Sequence, residues 1–377
     1  MGTQKKHLMI IAGEASGDMR AAELVLALKS LSPDIQFSGV GGDCMKKAGV
    51  ELFEHITSLA VIGIAEVLKN LKRIKKVFDH VLAEVETQKP DAVILVDYPG
   101  FNLRLAKKLK QRNIKVIYYV SPQVWAWRQS RIHTIKKIVD RMMVLFPFEK
   151  DLYASYGMNV DYVGHPLVDE IKIQFSPSDV LKSIDLKSQG NTTIGLMPGS
   201  RQKEVERHLP VMLEAAQKLY EQDHNRQFLL LKASTIERSL LEPLIPPSLP
   251  VKIYEGSPYD GINAMDAAIV ASGTATMETA LLNKPMVIIY KTSWPTYAIA
   301  KNVIKIPYIG LVNVVAGKKI VPELIQNDCN AVNIAENVET VLGNQDILEE
   351  LRKVKTALGE PGASRRAAKV ILEELAK

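Results

Sequence analysis

The sequence lacks the residue patterns that build metal and disulfide sites. Its two cysteines, Cys44 and Cys329, lie far apart and belong to no CxxC or Cys/His arrangement, which argues against a disulfide framework and against structural zinc. No DxD pair occurs, and the seven histidines show no HxH or HExxH spacing. We therefore expect inert thiols in a reducing compartment and neither a divalent metal nor another cofactor.

Long apolar runs are also absent. No stretch approaches the roughly 18–20 uninterrupted apolar residues that span a bilayer. The apolar run near the N-terminus enters a turn at Gly13, too early for the core of a signal peptide. These absences predict a soluble, cytoplasmic protein whose only route to a membrane is contact with its surface.

The composition is that of an ordinary globular protein, with 377 residues, 47% hydrophobic and 24% charged. Because single cores stop growing at about 250–300 residues, this length predicts at least two domains. Lysine and arginine number 48 against 42 aspartate and glutamate, which gives a net charge of +6. The excess favours anionic partners, whether phosphates, nucleic acid or lipid.

Short β-branched runs alternate with helical patterns along the whole chain. This alternation is typical of parallel βα units, so the predicted fold class is α/β, with doubly wound Rossmann-like sheets. A polar, turn-rich linker near 165–190 separates two similar halves. We predict an N-terminal domain over 1–167, a C-terminal domain over 168–343, and a helical tail over 344–377 that packs back on the N-terminal domain or on a partner subunit.

In the first half, two loops follow apolar strands, where ligands bind in such sheets. Ser16, Gly17 and Asp18 of the loop GEASGD are small or polar and let backbone amides approach a ligand. Asp97 ends the strand before DYPGFN and is placed as a general base. The competing interpretation is local, with Ser16 or Asp18, and Asn102 in the second loop, acting as helix caps.

Two loops in the second half have the features of phosphate sites. Gly199 and Ser200 stand at a helix start beside Arg201, whose guanidinium matches phosphate oxygens. Ser272–Thr274 repeat this arrangement, and Glu278 lies one helical turn further on, where a carboxylate can accept from ribose hydroxyls. The alternative is capping by Ser200 and Glu278. Two such loops with a carboxylate fit a nucleotide diphosphate.

The stretch 58–82 predicts a basic amphipathic helix. Its apolar and cationic faces suggest a helix that lies on a membrane surface. The alternative is a core helix with a solvated basic face. Nucleic acid is not predicted, because no aromatic residues interleave the basic cluster. The predicted membrane contacts are Ile64, Val67, Leu68, Leu71, Lys72, Arg73, Ile74 and Lys75.

Seven motifs, in this order along nearly the whole chain, resemble those of the lipid-A-disaccharide synthases. They are GEASGD, DYPGFN, SPQVWAWR, FPFEKDLY, YVGHP, PGSRQKEVE and ASGTATMETALLNKPMV. The resemblance implies a GT-B architecture, with two Rossmann-like domains facing each other across a cleft. It further implies an inverting hexosyltransferase that moves 2,3-diacylglucosamine from UDP to the 6-hydroxyl of 2,3-diacylglucosamine 1-phosphate.

The resemblance also assigns residues. Asp97 becomes the catalytic base, although Tyr98 and Gly100 stand where many relatives carry Ala and Asp. The expected nucleotide contacts are Gly199, Ser200, Arg201, Glu204, Ser272, Gly273, Thr274, Ala275, Thr276, Glu278 and Asn313. The residues expected at the acceptor or lining the cleft are Ser16, Gly17, Asp18, Asn102, Ser121 and Gln123.

The expected partners are UDP-diacylglucosamine, the acylated glucosamine 1-phosphate and the cytoplasmic surface of the inner membrane, with a homodimer also allowed. Two alternatives remain open from the sequence. One is a UDP-sugar 2-epimerase or another GT-B transferase, which would share the UDP domain. The other is a peripheral membrane scaffold, which would leave Asp97 and the two phosphate-type loops without a role.

Overall fold

The chain folds into two α/β units, which a computed structural model describes over residues 5–58, 64–127, 129–303 and 306–377. Unit 1 comprises Met1–Pro166 with Glu360–Lys377, and unit 2 comprises Leu167–Gly359. Each unit has its own parallel sheet with helices. The predicted α/β class with two Rossmann-like halves is therefore confirmed.

Unit 1 is built on a parallel sheet. Its strands, within the described residues, are β1 His7–Ala12, β2 Gln36–Gly41, β3 Glu51–His55, β4 Ala92–Val96, β5 Val116–Tyr119, β6 Arg141–Val144 and β7 Asp161–Tyr162. They follow the order β3-β2-β1-β4-β5-β6-β7, which reverses between β1 and β4. Because loops leave these two strands toward opposite faces, a crevice forms at their carboxyl ends.

Helices connect these strands. They are α1 Ala15–Leu31, α2 Asp43–Lys47, α3 Ile64–Gln88, α4 Pro99–Lys110, α5 Val124–Trp127, α6 Ile132–Ile138 and α7 Pro147–Ser155. Apolar residues of α3, α4 and α6 pack on β1 and β4 in one buried cluster. The two central strands are buried along their length, as expected for parallel strands covered by helices.

Unit 2 repeats this topology. Within the described residues its strands are β8 Thr192–Met197, β9 Arg226–Leu231, β10 Val251–Tyr254, β11 Ala267–Ala271, β12 Met286–Tyr290 and β13 Glu323–Ile325. They follow the order β10-β9-β8-β11-β12-β13, so the reversal falls between β8 and β11. The loops after β8 and β11 are the two phosphate-type loops of the sequence.

The helices of unit 2 include the two that follow these loops. They are α8 Leu167–Glu170, α9 Pro177–Ser183, α10 Gln202–Gln222, α11 Pro258–Asn263, α12 Ala275–Leu281, α13 Trp294–Val303, α14 Leu311–Ala316, α15 Ala331–Val341 and α16 Gln345–Ala357. Apolar residues of α10 and α15 pack on β8, β9, β11 and β12 in the main core of this unit.

The predicted linker near 165–190 belongs to unit 2 and contains α8 and α9. The fully buried Asp260 of α11 holds it, since one carboxylate oxygen accepts from the backbone N–H groups of Gln174 at 2.7 Å and Phe175 at 3.2 Å. The polar composition of this segment does not indicate the anchoring, because the Asp260 carboxylate lies far away in the sequence.

The predicted tail over 344–377 is divided between the units. Helix α16 packs on α12 and α14 in unit 2, whereas the last helix, α17 (Ala363–Leu375), packs on α1 in unit 1. The break falls at Gly359 and Gly362, both with positive φ. Arg366 then fixes α17, donating from Nε to the carbonyl of Val163 at 2.7 Å.

Two elements depart from the regular βα alternation. After β9 the chain forms two short 3₁₀ turns, Arg238–Leu240 and Glu242–Leu244, and Pro243 does not continue an α-helix. Strand β3 is an edge strand with two glutamates, and it lacks the apolar pattern of a central strand.

Candidate functional site

Asp97 lies immediately after β4, at the reversal point of the unit 1 sheet. Asp97 and Tyr98 both have positive φ, +47° and +45°, a conformation that costs about 1–3 kcal/mol for a non-glycine residue. The Asp97 carbonyl accepts from Tyr118 Oη at 2.6 Å and from Asn102 Nδ2 at 2.8 Å. The Asp97 N–H donates to the Tyr119 carbonyl at 3.1 Å. These bonds hold a strained turn in place, which is typical of functional loops.

Asn102 is a positioning residue. Its side chain is fully buried and its Nδ2 also donates to the carbonyl of Val96 at 3.2 Å. The amide therefore ties the start of α4 to the end of β4. The side chain does not reach the surface, and the expected role of Asn102 at the acceptor or in the cleft stays a prediction.

The electrostatic surroundings of Asp97 suit a general base. Burial raises the pKa of its carboxyl, while the positive charge of Arg20 and the backbone N–H of Tyr98 oppose that rise. Arg20 also acts on His165, and burial with this charge lowers the pKa of His165 to about 3. His165 thus stays neutral and packs on Phe146, with ring centroids 5.2 Å apart.

The GEASGD loop forms the first turn of α1. Ser16 is exposed and Gly17 is buried, and both stay predicted acceptor contacts. Asp18 is buried, and its carboxylate accepts from the backbone N–H groups of Gly42 at 2.6 Å, Cys44 at 3.0 Å and Met45 at 3.1 Å. These bonds hold the β2–α2 turn, and the expected role of Asp18 at the acceptor or in the cleft stays a prediction.

Ser121 and Gln123 differ in exposure. Ser121 is buried, and its hydroxyl lies 2.9 Å from Tyr153 Oη. It therefore links β5 to α7, and its expected role at the acceptor or in the cleft stays a prediction. Gln123 is exposed, so its role stays a prediction.

In unit 2, the loops after β8 and β11 line one cavity of about 480 Å³. The structure thus brings together most of the predicted nucleotide contacts within a single pocket. Those that line it are Gly199, Ser200, Arg201, Glu204, Ser272, Gly273, Thr274, Ala275 and Glu278. Amides, hydroxyls and a guanidinium in one place can bind several phosphate oxygens at once.

The amides at the start of α10 are already occupied. Glu204 Oε2 accepts from the backbone N–H groups of Ser200 at 3.2 Å and Arg201 at 3.3 Å, and its Oε1 accepts from the Arg201 guanidinium at 2.8 Å. This is a capping box. The Glu204 carboxylate therefore takes the place that the sequence suggested for a phosphate.

Glu278 faces the same cavity from α12. Burial raises its pKa to about 7, and the Glu170 carboxylate adds to the rise. A carboxyl that titrates near neutrality in a pocket is a candidate for ligand recognition.

Two expected nucleotide contacts do not line the cavity. Thr276 is fully buried and donates from Oγ1 to the Gly273 carbonyl at 2.8 Å. Asn313 is also fully buried, with Nδ2 donating to Val321 O and to Glu323 Oε1. Its Oδ1 accepts from two backbone N–H groups. Both side chains hold loops in place, and their role in nucleotide binding stays a prediction.

The sequence reasoning missed part of the wall. Residues 232–234 follow β9 and line the cavity together with Glu255, Gly256 and Pro258 after β10. Lys232 and Glu255 form an ion pair there, 3.4 Å apart. The strand order indicates these residues, because β9 and β10 lie beside β8 and the carboxyl ends of the three parallel strands share one edge of the sheet.

The predicted membrane helix is α3. Lys72, Arg73 and Lys75 are exposed, and Arg73 donates to the Thr57 carbonyl at 2.9 Å. Ile74 is half-buried and packs against the core, and its expected contact with a membrane stays a prediction. The side chains of Ile64, Val67, Leu68 and Leu71 lie outside the described residues, and their role stays a prediction.

No helix in the described ranges is long and apolar enough to cross a membrane. Nor does that part of the chain contain a group of three or more His, Cys, Asp or Glu side chains placed to hold a metal ion.

Solved structures share this fold. The UDP-GlcNAc 2-epimerase from Neisseria meningitidis matches with a TM-score of 0.63 at 13% identity, covering 98% of this chain and 99% of that one. The calicheamicin glycosyltransferase CalG4 matches with a TM-score of 0.65 at 13% identity, covering 100% and 99%. The fold is thus that of the GT-B class, which includes epimerases and transferases alike.

The sequence comparisons go further. A family model described as lipid-A-disaccharide synthetase matches residues 8–373. The lipid-A-disaccharide synthase of Syntrophus aciditrophicus (strain SB) is 45% identical over 378 residues, covering 99% of this chain and 98% of that protein. This chain belongs to the lipid-A-disaccharide synthetase family. It is a glycosyltransferase, so the two alternatives left open by the sequence, a UDP-sugar 2-epimerase and a peripheral membrane scaffold, no longer apply.

Proposed function

We propose that this chain transfers 2,3-diacylglucosamine from UDP to the 6-hydroxyl of 2,3-diacylglucosamine 1-phosphate. The products are UDP and a β(1→6)-linked disaccharide 1-phosphate. The observation that carries the proposal is the unit 2 cavity, where two small-residue loops, Arg201 and Glu278 converge, in a chain of this family.

Each part of the nucleotide has a matching group in the cavity. The amides and hydroxyls of Ser272–Ala275 face the phosphates at the start of α12. Arg201 supplies a charged fork for the phosphate oxygens. Glu278 accepts from the ribose hydroxyls when it is ionised.

The reaction is a single displacement. The Asp97 carboxylate takes the proton of the acceptor 6-hydroxyl as O6 bonds to the anomeric carbon, and the bond from that carbon to the UDP oxygen breaks with inversion. The electron pair leaves on UDP, where Arg201 and the backbone amides stabilise the charge without a metal or other cofactor.

The site of the reaction is the surface of a membrane, since both substrates carry acyl chains. The exposed cations Lys72, Arg73 and Lys75 of α3 face anionic headgroups in this proposal. We place the enzyme on the cytoplasmic side of the inner membrane. Sedimentation of the purified chain tests the homodimer that the family resemblance allows.

The test is UDP release from UDP-diacylglucosamine with and without the acylated glucosamine 1-phosphate. We expect release that depends on the acceptor and persists with a chelator present. Acceptor-independent release or epimerisation would contradict the proposal. Loss of activity with the chelator would contradict its metal-free part.

Glu204→Gln should bind UDP more tightly than the wild-type chain. Glutamine keeps the capping box but removes the negative charge that competes with phosphate for Ser200 and Arg201. Because a bond to a charged group exceeds a neutral one by about 1 kcal/mol, titration calorimetry should show Kd falling about fivefold. Glu206→Gln, on the same helix but outside the cavity, is the control. An unchanged or higher Kd in Glu204→Gln contradicts the competition.

Glu278→Gln should remove a pH dependence of UDP binding. The wild-type carboxyl has a pKa of about 7, and only its ionised form accepts from both ribose hydroxyls. Affinity should therefore fall as pH drops below about 7, by up to about tenfold per pH unit. The Kd for UDP should be measured for both chains across this pH range. Protonation of UDP itself affects both chains equally, so an equal pH dependence of Kd in the two chains would exclude the role of Glu278.

A further inference from the structure

Unit 2 has a second cavity, of about 240 Å³, that shares no residue with the nucleotide pocket. It is lined by Arg207, Lys291, Thr292, Trp294, Gln326 and Asn327. These residues come from α10, from the segment that runs from the end of β12 into the first residue of α13, and from the loop after β13. Three elements thus converge at the carboxyl edge of the sheet, and neither the transfer reaction nor α3 uses them.

The floor of this cavity is held in place by hydrogen bonds. Gln326 is buried with φ of +53°, and its side chain accepts from the Thr292 N–H at 2.7 Å and donates to the Thr292 carbonyl at 3.1 Å. The buried His208 accepts from the Lys291 N–H at 3.0 Å. Its other ring nitrogen therefore donates to the Pro198 carbonyl, also at 3.0 Å. The polar groups of the cavity are thus presented by a fixed frame.

The cavity is positively charged. Arg207 and Lys291 contribute two cations, and no carboxylate lines it. Neither cation forms an ion pair with the residues that the structure describes. Thr292 and Asn327 add a hydroxyl and an amide. Such a set binds a phosphate through charge-assisted hydrogen bonds.

A tryptophan stands beside the cations. Trp294 lines the cavity and is 60% exposed, although it is the first residue of a helix and a large apolar side chain. It packs edge-on against Tyr297, with centroids 5.8 Å apart. Tryptophan and tyrosine next to basic residues are typical of side chains that lie at the headgroup level of a membrane.

We propose that this cavity binds the phosphate of an anionic phospholipid headgroup, with Trp294 entering the interface beside it. Unit 2 then has a membrane contact of its own, in addition to α3. The proposal rests on the proposed location of the enzyme at a membrane surface but not on the transfer chemistry. The exposed indole favours a phosphate presented by a lipid over free phosphate, because a soluble anion makes no favourable contact with an exposed aromatic ring.

The test is binding of the full chain to vesicles of phosphatidylcholine, with and without phosphatidylglycerol. The double variant Arg207→Gln with Lys291→Gln should lose affinity for the anionic vesicles, about fivefold for each cation removed. The control is Lys218→Gln with Lys355→Gln, which removes the same charge from exposed sites on α10 and α16. Trp294→Ala should weaken binding to both kinds of vesicle.

Three results would overturn the proposal. One is equal vesicle binding by the double variant and the control. Another is a change in the part of the tryptophan fluorescence that Trp294→Ala removes, produced by inorganic phosphate alone to the extent seen with anionic vesicles, which would make this a site for free phosphate. The third is loss of UDP affinity in the double variant, which would assign the cavity to the nucleotide site. Normal UDP affinity with weakened vesicle binding supports it, whatever the transferase assay shows.

Discussion

Asp97→Asn should lower kcat by about 10²–10⁴-fold, the usual contribution of a general base. Asparagine keeps the size of the side chain and leaves the backbone bonds from Tyr118 and Asn102 in place. It cannot take the proton of the acceptor hydroxyl. UDP binding should not change, because Asp97 is not among the residues that line the nucleotide cavity.

The measurement is steady-state UDP release across pH. The wild-type rate should decline as pH falls through the pKa of Asp97, which burial raises, because the base must be ionised. In Asp97→Asn most of the activity should be lost, and the residual rate should show no such decline at low pH. Asp34→Asn, an exposed position in unit 1, controls for the change of charge. A kcat near the wild-type value in Asp97→Asn would falsify the assignment of the base.

Arg201→Ala should lower kcat by about 10²–10³-fold, as does loss of one preorganised donor to a developing charge. The guanidinium lies at the start of α10 with 73% of its side chain exposed, and Glu204 holds it over the cavity. It can therefore reach phosphate oxygens as the bond to the sugar breaks. The fold-decrease in kcat should exceed the fold-decrease in UDP affinity, because the charge that Arg201 contacts grows in the transition state.

Single-turnover rates and UDP titrations of the same variant separate these two effects. Arg201→Lys should recover only part of the rate, since an ammonium lacks the two-pronged geometry of the guanidinium. Lys203→Ala, exposed on the same helix and outside the cavity, is the control. If Arg201→Ala changes only the affinity for UDP, Arg201 binds the nucleotide without stabilising the departing charge.

The sequence predicts the sheets and the reactive loops because both leave local signals. Central strands such as Ala92–Val96 are unbroken apolar runs, buried on both faces. The loops after such strands are short and contain glycine, serine or aspartate. Since the order of each sheet reverses beside those strands, the loops with site-like sequences are also the loops at the two crevices.

The sequence does not show which polar side chains are used by the fold itself. Asp18, Asn102 and Asn313 resemble site residues by type, yet each is buried and bonded to backbone groups of another segment. The partner of Asp18 is 24 residues away, so no local pattern reveals it. Lys232 and Glu255 were overlooked for the opposite reason, because they are common surface residues that only the strand order places in the cavity.

The central claim is that one chain joins two acylated glucosamines through an inverting displacement. The most direct test is NMR of the product formed from UDP-diacylglucosamine and the acylated glucosamine 1-phosphate, with UDP measured in the same reaction. We expect one UDP for each disaccharide 1-phosphate, linked β from the new anomeric carbon to O6. An α linkage, a bond to another oxygen, or UDP without disaccharide would contradict the account.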